Sequence, residues 1–266
     1  MDLPDYVQSV SFRIARPNDP GSQAIRLTTF LLRRFGLRLD VLNTCLPCEN
    51  GQTRRRLRGA RRTCPAGTLA VGAIINRAVA QLATDEAFLA LGVGDGFPLW
   101  AAMSGNPDKM CIGVDPLLDL QKAGKDRLRA TMNDRFERAR SSNHHLHARD
   151  FSSYFASLQD MSIGFCFIGG GSHENPLERL RGSEPRLAEN AFILVENSNS
   201  PRVRDAGLGF IQSSRNQYRI LLDRRTPYHG GLTFGNGVLL FQLLGRNAAA
   251  DRRTREPAAP VLVPAA

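Results

Sequence analysis

The chain has 266 residues, 42% hydrophobic and 23% charged, which is ordinary for a soluble globular protein and enough for one sizeable core plus extensions. No apolar run approaches the roughly 20 residues of a membrane span, and the opening MDLPDYVQSVSF lacks the charged and apolar regions of a signal peptide, so a cytoplasmic location without membrane contact is expected. The net charge of +10 is uneven: residues 1–66 carry 12 Arg against 5 acids, whereas residues 67–266 carry 23 basic against 20 acidic residues.

Residues 1–66 read as a basic, partly ordered N-terminal extension. Its apolar side chains, from Phe30 to Leu42, are interrupted by loop signals at Pro17 to Gly21 and Pro47 to Gly51. Cys45 and Cys48 form a C-x-x-C with Cys64 further on. That falls short of the four ligands of a structural zinc unless a partner contributes. Arg54, Arg55, Arg56, Arg58, Arg61 and Arg62 form a run that reads either as a solvated, flexible linker or as a contact for phosphates. Only Lys109, Lys122 and Lys125 are lysines, so the preference for arginine reflects genome composition as readily as a partner.

From residue 67 to residue 245 the pattern is that of one folded domain. Apolar residues at helical spacing predict a helix over Thr68 to Leu82. The stretch AFLALGVGDGFPLWAAMSGNPDKMCIGVDPL, residues 87–117, then reads as strand, turn, helix and strand. Phe88 to Leu91 is a buried strand; Gly92, Gly94 and Gly96 turn the chain sharply and bring its backbone close to a ligand. Asp115 closes the second strand 19 residues after Gly96, where a carboxylate can accept hydrogen bonds from ribose hydroxyls. A tight turn with no ligand is the alternative, and the order of elements favours the ligand. A dinucleotide fingerprint needs glycine where Phe97 stands, so the turn suggests a cofactor without phosphates.

Helices and strands then alternate: a polar helix over Leu118 to Arg140, a strand at His145 to Ala148, a helix from Phe151 and a strand at Ile163 to Ile168. A helix over Pro176 to Ala188, a strand at Phe192 to Val195, a helix over Val203 to Ser213 and strands at Tyr218 to Leu222 and Gly237 to Leu244 follow. Alternation predicts an α/β, doubly wound, mostly parallel sheet of seven strands with helices on both faces; the last two strands, joined without a helix, predict an antiparallel end. Residues 246–266, rich in Arg, Ala and Pro, read as a disordered tail.

With seven strands, a G-x-G-x-G turn and Asp115 in place, the chain resembles the class I S-adenosylmethionine-dependent methyltransferases with their Rossmann-like fold. More narrowly it resembles the bacterial methyltransferase 24 branch, related to macrocin-type O-methyltransferases. The likeness spans about residues 65–244 and rests on GVGDGF with GNPDKMCIGVDP, on SIGFCFIGGGSHENPLERLRGSEPRLAENAFILVENSN and on DRRTPYHGGLTFGNG. It implies that Gly92, Val93, Gly94 and Gly96 meet the methionine and ribose of S-adenosylmethionine, that Asp115 meets the ribose hydroxyls, and that Asp150 and Phe151 meet the adenine.

Three departures accompany the resemblance. Ala90 stands where many members carry an acid. Ile168, Gly169, Gly170, Gly171, Ser172 and His173 stand where relatives often read I-D-G-G-H-S. Glu196 and Asn197, followed by Asn199, replace a D-D pair. In metal-dependent members the aspartates of these two loops hold magnesium, so an octahedral oxygen site is hard to assemble here and a metal-independent enzyme is expected.

Methyl transfer needs an acceptor lone pair aligned with the methyl group and, for a hydroxyl, removal of a proton. His173 is the expected base, with Glu196 and Asn197 orienting the acceptor; a surface-loop role for His173 remains the alternative. His229 reads as a residue of the acceptor pocket, and packing explains His144, His145 and His147. The expected reaction moves a methyl group to a hydroxyl, or less readily an amine, of a small metabolite or sugar. A degenerate binding or assembly subunit and an RNA methyltransferase guided by the arginine run are the competing readings. The partner is expected to be a small-molecule acceptor rather than nucleic acid, and a homo-oligomer is compatible with the sequence.

Overall fold

The computed structural model describes residues 1–13, 31, 34–35, 37–46, 49–64, 66–116, 126–158, 161–170, 176–226 and 232–246. Cys48, His173, His229, the start of the helix expected from Leu118 and the tail beyond residue 246 lie outside them. Among the described residues no helix is long and apolar enough to cross a membrane.

The N-terminal region contributes α1 (Leu3–Ser9), β1 (Ser11–Phe12), α2 (Leu39–Asn43), β2 (Thr44–Cys45) and α3 (Gly51–Thr63), followed by α4 (Leu69–Ala80). Leu3, Tyr6, Val7, Val41, Leu46 and Leu57 share one apolar cluster with α4 and the sheet. The arginine run is therefore neither a linker nor free chain: it is α3, capped by the Asn50 side chain on Thr53 N–H. The helical period explains the difference. Leu57, Ala60 and Arg61 recur on one side and are buried, while Arg55, Arg58 and Arg62 fall on the other and are exposed. Arg61 is buried because Asp40 meets it: Nε lies 3.0 Å from Oδ2, with the two side chains 6% and 4% exposed.

The sheet is built from β3 (Glu86–Leu91), β4 (Met110–Val114), β5 (His144–His147), β6 (Ser162–Ile168), β7 (Leu187–Glu196), β8 (Gln217–Arg224) and β9 (Val238–Gly245), in the order β5-β4-β3-β6-β7-β9-β8. The pairs from β5 to β7 are parallel, and β9 runs antiparallel between β7 and β8. Between the strands lie α5 (Phe97–Met103), α6 (Asp126–Ala139), α7 (Phe151–Ser157), α8 (Leu177–Ser183) and α9 (Pro201–Ser213). Because helices cover both faces, the central strands are apolar throughout. Phe88 and Ala90 of β3 join the cluster that contains α1 and α4, whereas Ala87, Leu89 and Leu91 join the one that contains α8 and α9. The doubly wound expectation and its antiparallel end are both observed.

One boundary differs. The helix expected over Pro176 to Ala188 stops at Ser183, gives one 3-10 turn over Glu184–Arg186, and β7 already starts at Leu187. Pro185 has no N–H with which to continue the helix. β7 then absorbs an irregularity at Asn190, whose φ is 62°, so that Ile163 pairs with Leu187 but Phe165 pairs with Phe192.

Candidate active site

In a parallel sheet the strands deliver their carboxyl ends to one edge, and the crevice there is the usual place for a ligand. Here the ends of β3, β4, β6 and β7 surround a cavity of about 470 Å³. That volume falls within the range of about 300–1,000 Å³ of small-molecule sites.

The turn after β3 forms one wall with Gly92, Val93, Gly94 and Asp95. Gly92 and Gly94 have φ of 90° and 58°, backbone that side chains with a Cβ rarely adopt. A Cβ on Gly94 would meet nothing within 4 Å and would project into open space. Asp115, at the end of β4, is buried; its Oδ2 accepts the Gly94 N–H at 3.0 Å, tying the second strand to the turn. Gly96 does not line the cavity. With φ of 92° it starts α5, placing its neighbours Asp95 and Phe97 in the wall.

Phe151 lines the cavity, but Asp150 does not. Asp150 caps α7: its Oδ1 accepts the Ser153 N–H at 2.8 Å and the Ser152 hydroxyl at 2.7 Å, and these bonds, the backbone one first, hold its pKa down to about 2. The sequence alone does not separate a cap from a ligand contact, since both favour an aspartate just before a helix.

Glu196 and Asn197 leave β7 on the far side of the cavity. Asn197 sits in left-handed backbone with φ of 65°; its Nδ2 donates to Gly170 O at 2.6 Å and its Oδ1 accepts from Asn236 Nδ2 at 3.0 Å. Its side chain therefore joins the loop after β6 to the loop before β9. Among the described residues Glu196 has no such partner. Its burial, followed by the negative charge of Asp95, pushes its carboxyl up to about 7.

Several lining residues carried no signal in the sequence. Asp95 accepts the Ala66 N–H at 2.6 Å and the Phe97 N–H at 3.1 Å, so that Ala66 and Gly67, just ahead of α4, close another side. Asn236 comes from 39 residues beyond Asn197. Arg179 of α8 stands behind the cavity, donating to Gly169 O and lying 5.1 Å from the centroid of the Phe151 ring. A spacing rule does not reach contacts between elements so distant in sequence.

The other candidate ligands have structural partners. His144 is buried, with Nδ1 accepting the Ser141 N–H at 3.0 Å and Nε2 facing Asn106 O at 3.1 Å, so Nε2 carries the proton. His145 and His147 stack at 6.2 Å, outside the cavity. Cys111 and Cys166 are buried in strands, and desolvation raises both thiols to about 12. Among the described residues no three His, Cys, Asp or Glu gather as a metal site.

The same architecture occurs in solved structures. A protein from Corynebacterium glutamicum matches over 85% of this chain and 100% of its own at 11% identity, with a TM-score of 0.53. A protein from Klebsiella pneumoniae assigned as an O-methyltransferase matches over 83% of this chain and 97% of its own at 14% identity, with a TM-score of 0.52. Against a protein from Streptococcus mutans assigned as a SAM-dependent methyltransferase, the match covers 64% of this chain but only 47% of that one, at 18% identity and a TM-score of 0.45. No protein-family model matches the chain, and neither does any curated protein. The chain shares its fold with the first two of these structures; in this chain the sheet has seven strands with one reversed.

Proposed function

We propose that this protein is an S-adenosylmethionine-dependent methyltransferase whose acceptor is a hydroxyl of a small metabolite or sugar, and that it works without a metal ion. The observation that carries the reading is the cavity itself: a glycine turn with positive φ, Asp115 at the next strand end and Glu196, a carboxyl without a partner among the described residues, all face one space. The residues fit the cofactor. Gly94 leaves open space where a Cβ would stand, Asp115 offers a carboxylate for ribose hydroxyls, and Phe151 offers a ring for the base.

Bound there, S-adenosylmethionine supplies an electrophilic methyl carbon to the acceptor by in-line displacement, its sulfur keeping the bonding pair and ending as a neutral thioether. The chain's task is positioning and proton removal. Glu196 takes the hydroxyl proton on a carboxylate oxygen, since a carboxyl raised to about 7 is near the optimum for a base at neutral pH. Asn197, held by Gly170 and Asn236, keeps the loop that carries Glu196 in place. His173 is the alternative base.

Metal independence rests on Gly169. It occupies the position where metal-dependent members of the resembled family carry an aspartate, and a Cβ there would overlap the carbonyl oxygen of Gly92. The narrower kinship with the methyltransferase 24 branch is proposed on the sequence resemblance alone, from which this pocket departs at Glu196 and Asn197.

Calorimetry with S-adenosylmethionine and S-adenosylhomocysteine tests the cofactor, and an acceptor panel read by mass spectrometry, with and without a chelator, tests the reaction. Folded protein that binds neither ligand would sink the proposal. Binding without turnover on any acceptor favours the subunit reading, and activity abolished by chelation overturns metal independence.

A further inference from the structure

Three carboxylates line the cavity, Asp95, Asp115 and Glu196, and among the described residues no Lys, Arg or His does. Two of the three are engaged by backbone: Asp95 by the N–H groups of Ala66 and Phe97, Asp115 by that of Gly94. The Glu196 carboxyl has neither a hydrogen bond nor an ion pair among the described residues. Arg179 lies behind the wall, but its guanidinium is directed to Gly169 O and the Phe151 ring. Asn197 and Asn236, the polar neighbours on the Glu196 side, are neutral and bonded to each other. A partly enclosed carboxyl with no cation beside it among the described residues is best stabilised in its charged form by a cationic ligand.

We propose that Glu196 is the charge partner of the sulfonium, ionised when S-adenosylmethionine is bound and protonated when S-adenosylhomocysteine is bound. This rests on the cofactor reading given above and adds to it a rule for telling donor from product. In the transfer the bond from acceptor oxygen to methyl carbon forms as the sulfur–carbon bond breaks. The sulfur keeps the electron pair, and the acceptor proton moves to a Glu196 oxygen. One positive and one negative charge vanish together, so the net charge of the cavity is the same before and after. The carboxyl of the free protein, raised to about 7 by burial and by Asp95, is poised to go either way.

Linkage makes the inference measurable, because a ligand that binds only the ionised form releases the proton that form has lost. Isothermal titration of the full chain, in two buffers of different ionisation enthalpy between pH 6 and 8, counts those protons. S-adenosylmethionine should release up to one proton at pH 6, with affinity rising up to about tenfold per pH unit toward pH 7 and levelling above it. S-adenosylhomocysteine should release none at pH 6 and take up as much as one proton toward pH 8. Sinefungin, which carries an ammonium in place of the sulfonium, should follow the donor. In Glu196→Gln the donor should bind without proton release. Equal proton counts for donor and product in the unsubstituted protein overturn the inference, as does a proton release that survives in Glu196→Gln. Absence of binding by both ligands is a different result, which removes the methyltransferase reading and this inference with it.

Discussion

Gly169 and Gly92 close the turns after two neighbouring parallel strands, and their backbones touch. A Cβ on Gly92 would stand 3.0 Å from the carbonyl carbon of Gly169, and one on Gly169 would overlap the carbonyl oxygen of Gly92. Arg179 holds this contact from behind by donating to Gly169 O. Gly92, in the wall of the cavity, and Gly169, packed against it, thus exclude each other's side chains.

Gly169→Ala is therefore expected to lower stability by about 1–3 kcal/mol, the usual cost of forcing extra atoms into packed structure. Urea denaturation measures it. Gly169→Asp should not make activity depend on magnesium, because the backbone must move before that carboxylate can reach any ion. Magnesium activation of Gly169→Asp would show that the loop yields more easily than the contact implies.

Glu196 makes a prediction about pH that works on both rate and stability. As a base it acts in its ionised form, so kcat/KM should rise as pH increases through about 7 and level above it. Glu196→Gln should lose that limb and, at high pH, about 10²–10⁴-fold in kcat. For stability the sign is opposite. The folded value of about 7 lies above the ordinary 4.5, so between these values the folded state holds a proton that the unfolded state has lost, and stability falls as pH rises. The ligand-free Glu196→Gln protein should accordingly gain more in Tm at pH 8 than at pH 5. Equal gains at the two pH values would contradict the raised carboxyl.

Asp40 and Arg61 form a buried ion pair that joins α2 to α3, and Leu69 N–H at the start of α4 also points to Asp40 Oδ2 at 3.4 Å. Arg61→Leu leaves a carboxylate buried without its cation and should cost about 3–5 kcal/mol, most of it regained in the double variant with Asp40→Leu. A double-mutant cycle in guanidinium reads this directly. By contrast Arg58→Gln, on the exposed face of the same helix, should change stability by less than about 0.5 kcal/mol.

Asp115 and Asp150 separate a ligand contact from a cap. Asp115→Asn should weaken S-adenosylmethionine binding about 10–100-fold, the range for losing hydrogen bonds to a charged group. Asp150→Ala should leave that affinity nearly unchanged while destabilising α7, since its oxygen is spent on Ser152 and Ser153. Calorimetry on the two variants distinguishes the roles, and a large affinity loss in Asp150→Ala would return it to the adenine.

Much of the scaffold was legible because its signals are local. Apolar runs marked β3, β4 and β6, glycines marked the turn into α5, and the absence of a helix between β8 and β9 marked the reversed strand. Less was legible where two local signals compete. Pro176 to Ala188 carries helical spacing, yet Pro185 ends the helix and the strand begins at Leu187. The arginine run has the composition of a solvated segment, and only the partners of Leu57, Ala60 and Arg61 make it a packed helix.

The sequence by itself determined the α/β architecture and the glycine turn with Asp115, because these depend on backbone freedom, burial and spacing within some 30 residues. The tertiary structure decided which of the named residues share a space. It set Asp150 outside the cavity as a cap, brought Asp95 and Asn236 into it, and put Arg179 behind two touching glycines. It also left Glu196 facing that space without a side-chain partner among the described residues, and burial of this kind is a property of the surroundings in three dimensions. No order of residues along the chain encodes how much water a carboxyl keeps.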